Sequence, residues 1–191
     1  MDIGNWVVIA LLVFLIGYVV MIYNNLVTLK HAVSKYFANI DVLLKQRHDE
    51  LPKLVATCQR YMEHEKTTLS SVTEARAAVA GAQASGDMAA LGAAETLMRS
   101  GLGKLFAVAE DYPELKADQS FKHLQLRITD LENSISDRRE VYNEAVNNNN
   151  VRIEQFPDVV IANFFNFKAF DLLEFQEEEL RDVDINRLFN S

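Results

Sequence analysis

The residues best suited to chemistry lie in "NIDVLLKQRHDELPKLV", residues 39–55, which sets charged residues and a histidine within an apolar helical pattern. Its consecutive His48, Asp49 and Glu50 could bind a metal ion, with His64 or Glu65 added from the next helix. Ligands on one helix need spacings of three or four residues, whereas direct neighbours point in different directions. The sequence also has no His-Glu-x-x-His motif. We therefore expect no metal site here, and interpret the stretch as a solvated turn between helices.

Other patterns that carry catalysis are also missing from the sequence. The stretch "SGLGK", residues 100–104, lacks the glycine and lysine spacing of a phosphate-binding loop. There is no Gly-x-Ser-x-Gly elbow, and the single cysteine, Cys58, falls on an apolar helical stripe, where a core thiol is expected. We expect a protein that is not an enzyme and that uses no cofactor.

The composition favours a helical protein of one ordinary domain. The 191 residues include only seven glycines and three prolines, and 49% are hydrophobic. The formal net charge of −8 argues against a nucleic-acid partner, because binding nucleic acid needs a basic surface.

The N-terminal segment predicts a membrane anchor. No charged residue occurs between positions 3 and 29, and "VVIALLVFLIGYVVMI", residues 7–22, is almost wholly aliphatic. With its flanks it reaches the ~20 residues that a bilayer requires. Aromatic residues at both ends fit the membrane interfaces. The predicted anchor residues include Trp6, Val7, Phe14, Ile22 and Tyr23.

The charges around the anchor indicate its orientation. Neither a basic start nor a small-x-small cleavage site is present, so we expect the segment to be retained and not cleaved. Lys30 and Lys35 follow the segment, and no lysine or arginine precedes it. The positive-inside rule then places the C-terminal bulk in the cytoplasm. The periplasmic side stays open as the alternative, because the charge difference is small.

Apolar residues recur at spacings of three and four in four stretches beyond the anchor. Four helices that each bury one face, joined by short turns, form an up-and-down bundle. We expect an all-α fold, with a transmembrane helix continuous with an antiparallel four-helix bundle and an aromatic and acidic tail. Asp87 and Asp118 are predicted N-caps. The predicted segments are an anchor at 1–25, bundle helices at about 26–47, 51–80, 87–112 and 118–155 within 26–156, and a tail at 157–191.

The turn at residues 47–52 would form the membrane-distal corner of this bundle. Asp49 or Glu50 could cap the second helix, and Pro52 suits a first helical turn, where its missing N–H is not needed. We predict that this corner is a candidate interaction surface made by Arg47, His48, Asp49 and Glu50.

A set of polar residues falls on or beside the apolar stripes. We expect these residues to pair across the bundle and to fix its register. A buried polar pocket that binds a ligand is the alternative. The set consists of Glu65, Arg76, Arg138, Arg139 and Asn149.

Several blocks of the sequence resemble, in order and spacing, the signature blocks of the LemA family of bacterial membrane proteins. The resemblance covers residues from about 23 to 157. It implies an N-terminal helix in the bacterial plasma membrane and an antiparallel four-helix bundle, and it implies no catalytic residues. Asn166 stands where a glycine is usual in the family, so we expect a different join there. The blocks are "YNNLV", "NIDVLLKQRHDELPKLV", "YMEHEKTTLSSVTEAR", "AVAEDYPELKADQSF" and "ENSISDRREVYNEAVNNNNVRIEQFP".

The tail concentrates phenylalanines ahead of the acidic run 177–179. These aromatic side chains need a surface to cover. Packing on their own bundle and docking on a neighbouring subunit or partner are equally open. Lying on the membrane surface ranks third, because the acidic run repels an anionic bilayer. The candidate contacts are Phe164, Phe165, Phe167, Phe170 and Phe175.

Two functions from different classes fit these features. The first is a homo-oligomeric scaffold on the bacterial cell membrane, with the lipid bilayer and further copies of the chain as partners. The second is a monomeric adaptor that presents its membrane-distal corner to another membrane protein, such as a protease or a signalling receptor.

Overall fold

The computed structural model describes residues 3–175, and all regular elements in this range are α-helices. No strand occurs among these residues. The predicted all-α class is therefore confirmed. The helices are α1 (Ile3–Gln59), α2 (Lys66–Ser85), α3 (Met88–Ala109), α4 (Pro113–Ala117), α5 (Gln119–Glu154) and α6 (Asp158–Phe164).

Helix α1 continues for 57 residues without the predicted break at Pro52. A proline inside a helix removes the hydrogen bond to the carbonyl four residues earlier, which here belongs to His48. Arg76 of α2 supplies the missing donor, because its Nε lies 3.0 Å from the His48 carbonyl oxygen. The predicted corner at residues 47–52 is therefore wrong, and the chain turns at residues 60–65 instead.

Both predicted N-caps are confirmed. Asp87 accepts a hydrogen bond of 2.9 Å from the backbone N–H of Ala90 at the start of α3. Asp118 accepts hydrogen bonds from the backbone N–H groups of Ser120 and Phe121, at 2.7 and 3.2 Å, at the start of α5. These carboxylates satisfy donors that the first turn of a helix leaves without a backbone partner.

The described chain divides into two compact units, and α1 and α5 each contribute to both. Unit 1 comprises residues 3–40 and Ser136–Leu172, and unit 2 comprises Asp41–Ile135 and residues 173–175. The predicted apolar stripes supply the core of each unit. In unit 1 the buried residues include Ile22, Leu26, Val33, Ile40, Tyr142 and Val146. In unit 2 they include Leu51, Leu54, Met62, Val72, Leu91, Met98, Leu105, Phe121 and Ile128.

The N-terminal part of α1 has the character of a membrane span. Among the described residues, α1 is the one helix long and apolar enough to cross a membrane. Trp6, Val7 and Phe14 are 61%, 53% and 75% exposed, so their apolar surfaces are available to lipid. Ile22 differs from these three predicted anchor residues, because it packs against Ala162 of α6 and is only 3% exposed. The last turn of the apolar segment therefore contacts protein as well.

Candidate functional site

The most buried charged groups lie in an ion cluster of unit 2, formed by Arg47, Glu95, Glu132 and Arg99. Arg47 forms a bidentate pair with Glu95, in which one of the two hydrogen bonds measures 3.0 Å, and its Nη1 also donates to Glu132. Arg99 Nε lies 3.5 Å from the second oxygen of Glu132. Arg47 and Glu95 are each 1% exposed. Helices α1, α3 and α5 thus meet through two positive and two negative side chains.

The protonation behaviour of the ion cluster follows from burial opposed by pairing. Burial by itself lowers the pKa of Arg47, but the adjacent Glu95 and Glu132 outweigh it, and the net pKa is raised above its usual value. Burial raises the pKa of Glu95, and Arg47 opposes that rise. A guanidinium stays protonated in proteins, so both carboxylates have a permanent counter-charge. Neither carboxylate is free to act as a general base. The cluster is best explained as a structural feature that fixes the register of α1, α3 and α5.

The predicted interaction corner has a different environment from the one expected. Arg47 is buried in the ion cluster and is not on the surface. His48 accepts from Arg76, whose Nη2 lies 2.7 Å from the ring Nε2. Glu50 pairs with Lys53 at 3.0 Å, one helical turn along α1. Arg47, His48, Asp49 and Glu50 all lie within α1, so they form no corner, and only the last three contribute to the surface of that helix.

The predicted buried polar set is only partly buried. Asn149 is 1% exposed, whereas Arg138 is exposed and Glu65, Arg76 and Arg139 are half-buried. Glu65 accepts a hydrogen bond of 3.5 Å from the Tyr112 hydroxyl. Arg76 donates to the carbonyl oxygen and to the ring of His48. The prediction that this set lies buried is therefore wrong for Arg138.

Sequence reasoning missed Glu95 and Glu132, although their spacing carried a signal. Glu95 lies four residues after Leu91 and three before Met98, which places it on the stripe of α3. Glu132 lies four residues after Ile128, beside the stripe of α5. A charged residue at such a position predicts a buried partner of opposite charge, because an unpaired buried charge is strongly destabilising.

No metal or nucleophilic site emerges from the described residues. Within residues 3–175, no group of three or more His, Cys, Asp or Glu side chains is placed to hold a metal ion. Cys58 is buried, and burial raises the pKa of its thiol to about 11. A thiol with that pKa is almost entirely protonated at neutral pH and is a poor nucleophile. The expectation that Cys58 is a core residue is confirmed.

In unit 1, a C-terminal strap (residues 166–172) packs along α5 through its backbone. Asn150 forms two hydrogen bonds with Phe170, one to the carbonyl oxygen at 2.8 Å and one from the backbone N–H at 3.0 Å. The Tyr142 hydroxyl donates to the Asp171 carbonyl at 2.9 Å, and Asn149 Nδ2 lies 3.4 Å from the Lys168 carbonyl. Asn149, Asn150 and Tyr142 of α5 therefore supply hydrogen bonds to the backbone of a segment that has no regular secondary structure.

In unit 2, the three described residues that follow the strap pack against α3. Leu173 is 1% exposed, and its burial contributes about 2 kcal/mol. Gly92 makes this approach possible, because a Cβ at that position would lie 1.9 Å from the Glu174 carbonyl oxygen. The Phe175 ring lies 4.9 Å from the guanidinium carbon of Arg99, a cation–π contact.

The join after α6 uses Asn166 in a left-handed conformation, with φ of +58°. The Phe167 N–H donates to the Ala162 carbonyl at 2.9 Å, and the Asn166 N–H donates to the Asn163 carbonyl at 3.3 Å. This pair of bonds defines a Schellman motif, whose left-handed position usually holds glycine and sometimes asparagine. The join is therefore the one that a glycine would make, and the prediction that it is built differently is wrong.

The tail phenylalanines divide between buried and exposed environments. Phe167, Phe170 and Phe175 are half-buried against their own unit. Phe164 and Phe165 are 80% and 48% exposed. The tail therefore packs partly on its own chain, while part of its aromatic surface stays open. The acidic run at residues 177–179 lies outside the described residues.

Comparisons with known proteins identify the family of this chain. The sequence profile of the LemA family matches residues 36–186. The chain is similar to two proteins of Paramagnetospirillum magneticum, magnetosome protein MamQ 1 and magnetosome protein MamQ 2. Each is 26% identical over 89% of this chain and 70% of the relative. It is also similar to magnetosome protein MamQ of Magnetospirillum gryphiswaldense, which is 25% identical over 91% of this chain and 72% of the relative. Because the profile spans most of its length, this membrane-associated helical chain belongs to the LemA family.

Proposed function

We propose that this chain is a non-enzymatic, membrane-anchored helical scaffold that assembles with further copies of itself at the bacterial plasma membrane. In this proposal residues 1–25 are a single-pass anchor, residues 26–156 form an antiparallel four-helix bundle, and residues 157–191 form a tail, whose described part (157–175) packs partly on its own chain. One observation carries the self-association: three aliphatic side chains of unit 2, on three different helices, are more than half exposed. These are Val42 at 55%, Leu97 at 60% and Leu126 at 67%.

Exposed aliphatic side chains on several helices favour an assembly role over a catalytic one. Contiguous exposed apolar patches are typical of surfaces that bind another protein, and Val42, Leu97 and Leu126 would belong to such a patch in this proposal. The charged groups of the ion cluster, by contrast, are paired with one another. The names of the similar magnetosome proteins mention no reaction. A structural function therefore accounts both for the exposed aliphatic side chains and for the paired charges of the ion cluster.

The adaptor function has less support from the described residues. It relied on a corner formed by Arg47 and its neighbours, but Arg47 is 1% exposed and these residues lie inside the C-terminal part of α1. The exposed side chain of Asp49 remains, and a single carboxylate on a helix surface does not distinguish a docking site from ordinary solvated surface.

The experiment that tests self-association is the particle mass of the full-length chain in mild detergent, compared with a Leu97→Glu and Leu126→Glu double variant. We expect a large, discrete mass for the wild type and a single-chain mass for the variant, because a charge at a buried contact is costly. Ala107→Glu, at an exposed position on α3, is the matched control and should keep the large mass. A single-chain wild-type particle would contradict the proposal. Truncation at Phe156 is unsuitable, because it removes α6 and the strap that pack on the chain itself.

The side of the membrane needs its own measurement. We propose the cytoplasmic side, because Lys30 and Lys35 follow the anchor. Protease treatment of intact cells should leave the chain whole, as should treatment of spheroplasts, and cleavage should require lysis. Digestion in spheroplasts before lysis would place unit 2 in the periplasm and contradict the assignment.

A further inference from the structure

Four large apolar side chains are exposed at one end of unit 1, around α6. Phe156 is 84% exposed, Val160 57%, Phe164 80% and Phe165 48%. Val160 and Phe164 are four residues apart in α6, the spacing that places helical side chains on one face, and Phe156 lies in the turn just before α6. We call these four residues the aromatic edge. It is an amphipathic surface, because the opposite face of α6 buries Ala162 in the core of unit 1.

The aromatic edge lies beside the end of the predicted membrane span. The Phe165 ring centroid is 4.7 Å from that of Tyr23, and the Phe167 centroid is 5.9 Å from it. Ile22 and Leu26 of α1 share a core cluster with Ala162 of α6. Residues 3–23 of α1 span about 31 Å at 1.5 Å per residue, close to the ~30 Å thickness of the bilayer hydrocarbon. A chain inserted to Tyr23 therefore brings the aromatic edge to the membrane surface.

A basic groove of about 490 Å³ opens next to this edge. Its charged and titratable lining residues are Lys30, His31 and Lys168, and its aromatic lining includes Tyr23 and Phe165. None of the described residues that line it is acidic. Lys30 lies about 10 Å beyond Tyr23 along α1, and lysine side chains extend back toward a membrane interface. In a chain inserted to Tyr23, the groove would offer positive charge at the depth of the lipid phosphates and aromatic surface at the depth of the acyl boundary.

We infer that the aromatic edge is seated in the boundary between headgroups and acyl chains of the bilayer, and that the basic groove binds the phosphate of an anionic phospholipid. The inference rests on the proposed membrane anchoring of α1, and it assigns α6 and the strap a lipid partner. Continuity with the span favours lipid over a second copy of the chain, because Phe165 packs directly on Tyr23. Aromatic side chains and lysines together are typical of segments that lie in a membrane interface.

Fluorescence quenching in vesicles tests the position of the aromatic edge, because Trp6 is the single tryptophan of the chain. Full-length Phe164→Trp, in a Trp6→Phe background, is reconstituted into vesicles of three parts phosphatidylcholine to one part phosphatidylglycerol, with bromine at shallow acyl positions. The matched control is Glu140→Trp in the same background. Glu140 is exposed in the unit 1 part of α5, about 21 Å before the C-terminal end of that helix.

We expect the tryptophan at position 164 to be quenched at least about twofold more than the tryptophan at position 140. Equal quenching at both positions would overturn the inference. A tryptophan at position 164 that is unquenched by lipid, together with a fall in particle mass for Phe164→Glu, would instead assign the edge to a contact between copies. Wild-type Trp6 reports on the anchor separately, so an unquenched Trp6 would mark a failure of the anchoring and not of the edge.

The headgroup is tested by moving the bromine between the two lipids at equal mole fraction. Brominated phosphatidylglycerol should quench position 164 about two to three times more than brominated phosphatidylcholine, because the groove enriches anionic lipid nearby. The double variant Lys30→Gln, Lys168→Gln should bring this ratio to about one. The matched control is Lys45→Gln, Lys104→Gln, which replaces two exposed lysines of unit 2 and should leave the ratio unchanged. A ratio of one in the wild type would overturn the headgroup assignment, as would a ratio that survives loss of both groove lysines.

Discussion

Charged side chains are usually exposed and large apolar ones are usually buried. The ion cluster of unit 2 departs from this rule by burying charge, and the aromatic edge of unit 1 departs from it by exposing apolar side chains. In the ion cluster, Arg47 and Glu95 are charged and almost inaccessible, each 1% exposed. At the aromatic edge, Phe156 and Phe164 are apolar and more than three-quarters exposed. The charged residues are paired within the chain, whereas most of the surface of these two aromatic side chains is left uncovered by the described residues. The first arrangement therefore explains how the unit is held together, and the second indicates where it contacts something else.

The largest effect is expected from breaking the ion cluster. Glu95→Ala leaves Arg47 buried with one carboxylate fewer, and we expect the free energy of unfolding to fall by about 3 kcal/mol. Urea denaturation of the detergent-solubilised chain, followed by circular dichroism, measures this change. The Arg47→Met and Glu95→Leu double variant should recover part of the loss, because it removes both charges together.

Urea denaturation of a variant at the aromatic edge gives the comparison with the ion cluster. Phe164→Ala should change the free energy of unfolding by less than about 0.5 kcal/mol, since its side chain is 80% exposed. A loss at Glu95→Ala no larger than that at Phe164→Ala would show that the ion cluster does not stabilise unit 2.

An intermediate effect is expected where residues 173–175 approach α3. Gly92→Ala places a methyl group against the Glu174 backbone, and we expect a loss of about 1 to 3 kcal/mol in the same denaturation experiment. Gly103→Ala is the matched control on α3, because no atom beyond its chain neighbours and the nearby backbone of α3 lies within 4 Å of the place that its methyl group would take. Alanine there should stabilise the helix by about 0.5 to 1 kcal/mol. Equal effects at the two glycines would mean that the close approach contributes nothing.

The smallest effect is a pH dependence at His48. Burial and the neighbouring Arg76 lower the pKa of His48 below its ordinary 6.5, against a weaker effect of Asp49. A lowered folded-state pKa gives stability that is present above pH 6.5 and lost as the pH falls below it. The imidazolium also loses the acceptor that Arg76 uses. Because His48 is partly solvated, we expect a decrease of less than about 0.5 kcal/mol.

The matched pair for this pH dependence is His48→Gln and His123→Gln. Glutamine at position 48 retains an acceptor for Arg76 but does not titrate, so the stability difference between pH 7.5 and pH 5.5 should shrink by roughly the amount that His48 contributes. His123 is exposed in α5, and its replacement should leave the difference unchanged. An unaltered pH dependence in His48→Gln would contradict the assignment.

Sequence reasoning succeeded where the cause of the structure is local. The stripes of α2, α3 and α5 follow from helical periodicity, and the caps at Asp87 and Asp118 follow from short polar side chains just before an apolar run. It failed at Pro52, because the donor that keeps α1 intact comes from Arg76, 28 residues after His48. Local rules for proline take no account of a side chain on another helix.

The sequence by itself determined the apolar N-terminal segment, the helical class and most of the buried stripes, because each depends on the order of apolar and polar residues within a few turns. Only the tertiary structure decided that Arg47 is buried and that the aromatic edge lies beside Tyr23. Arg47 meets Glu95 and Glu132 across 48 and 85 residues of chain, and Tyr23 meets Phe165 across an even longer separation. Contacts at that distance in sequence depend on how the helices pack, and the packing is a property of the whole chain.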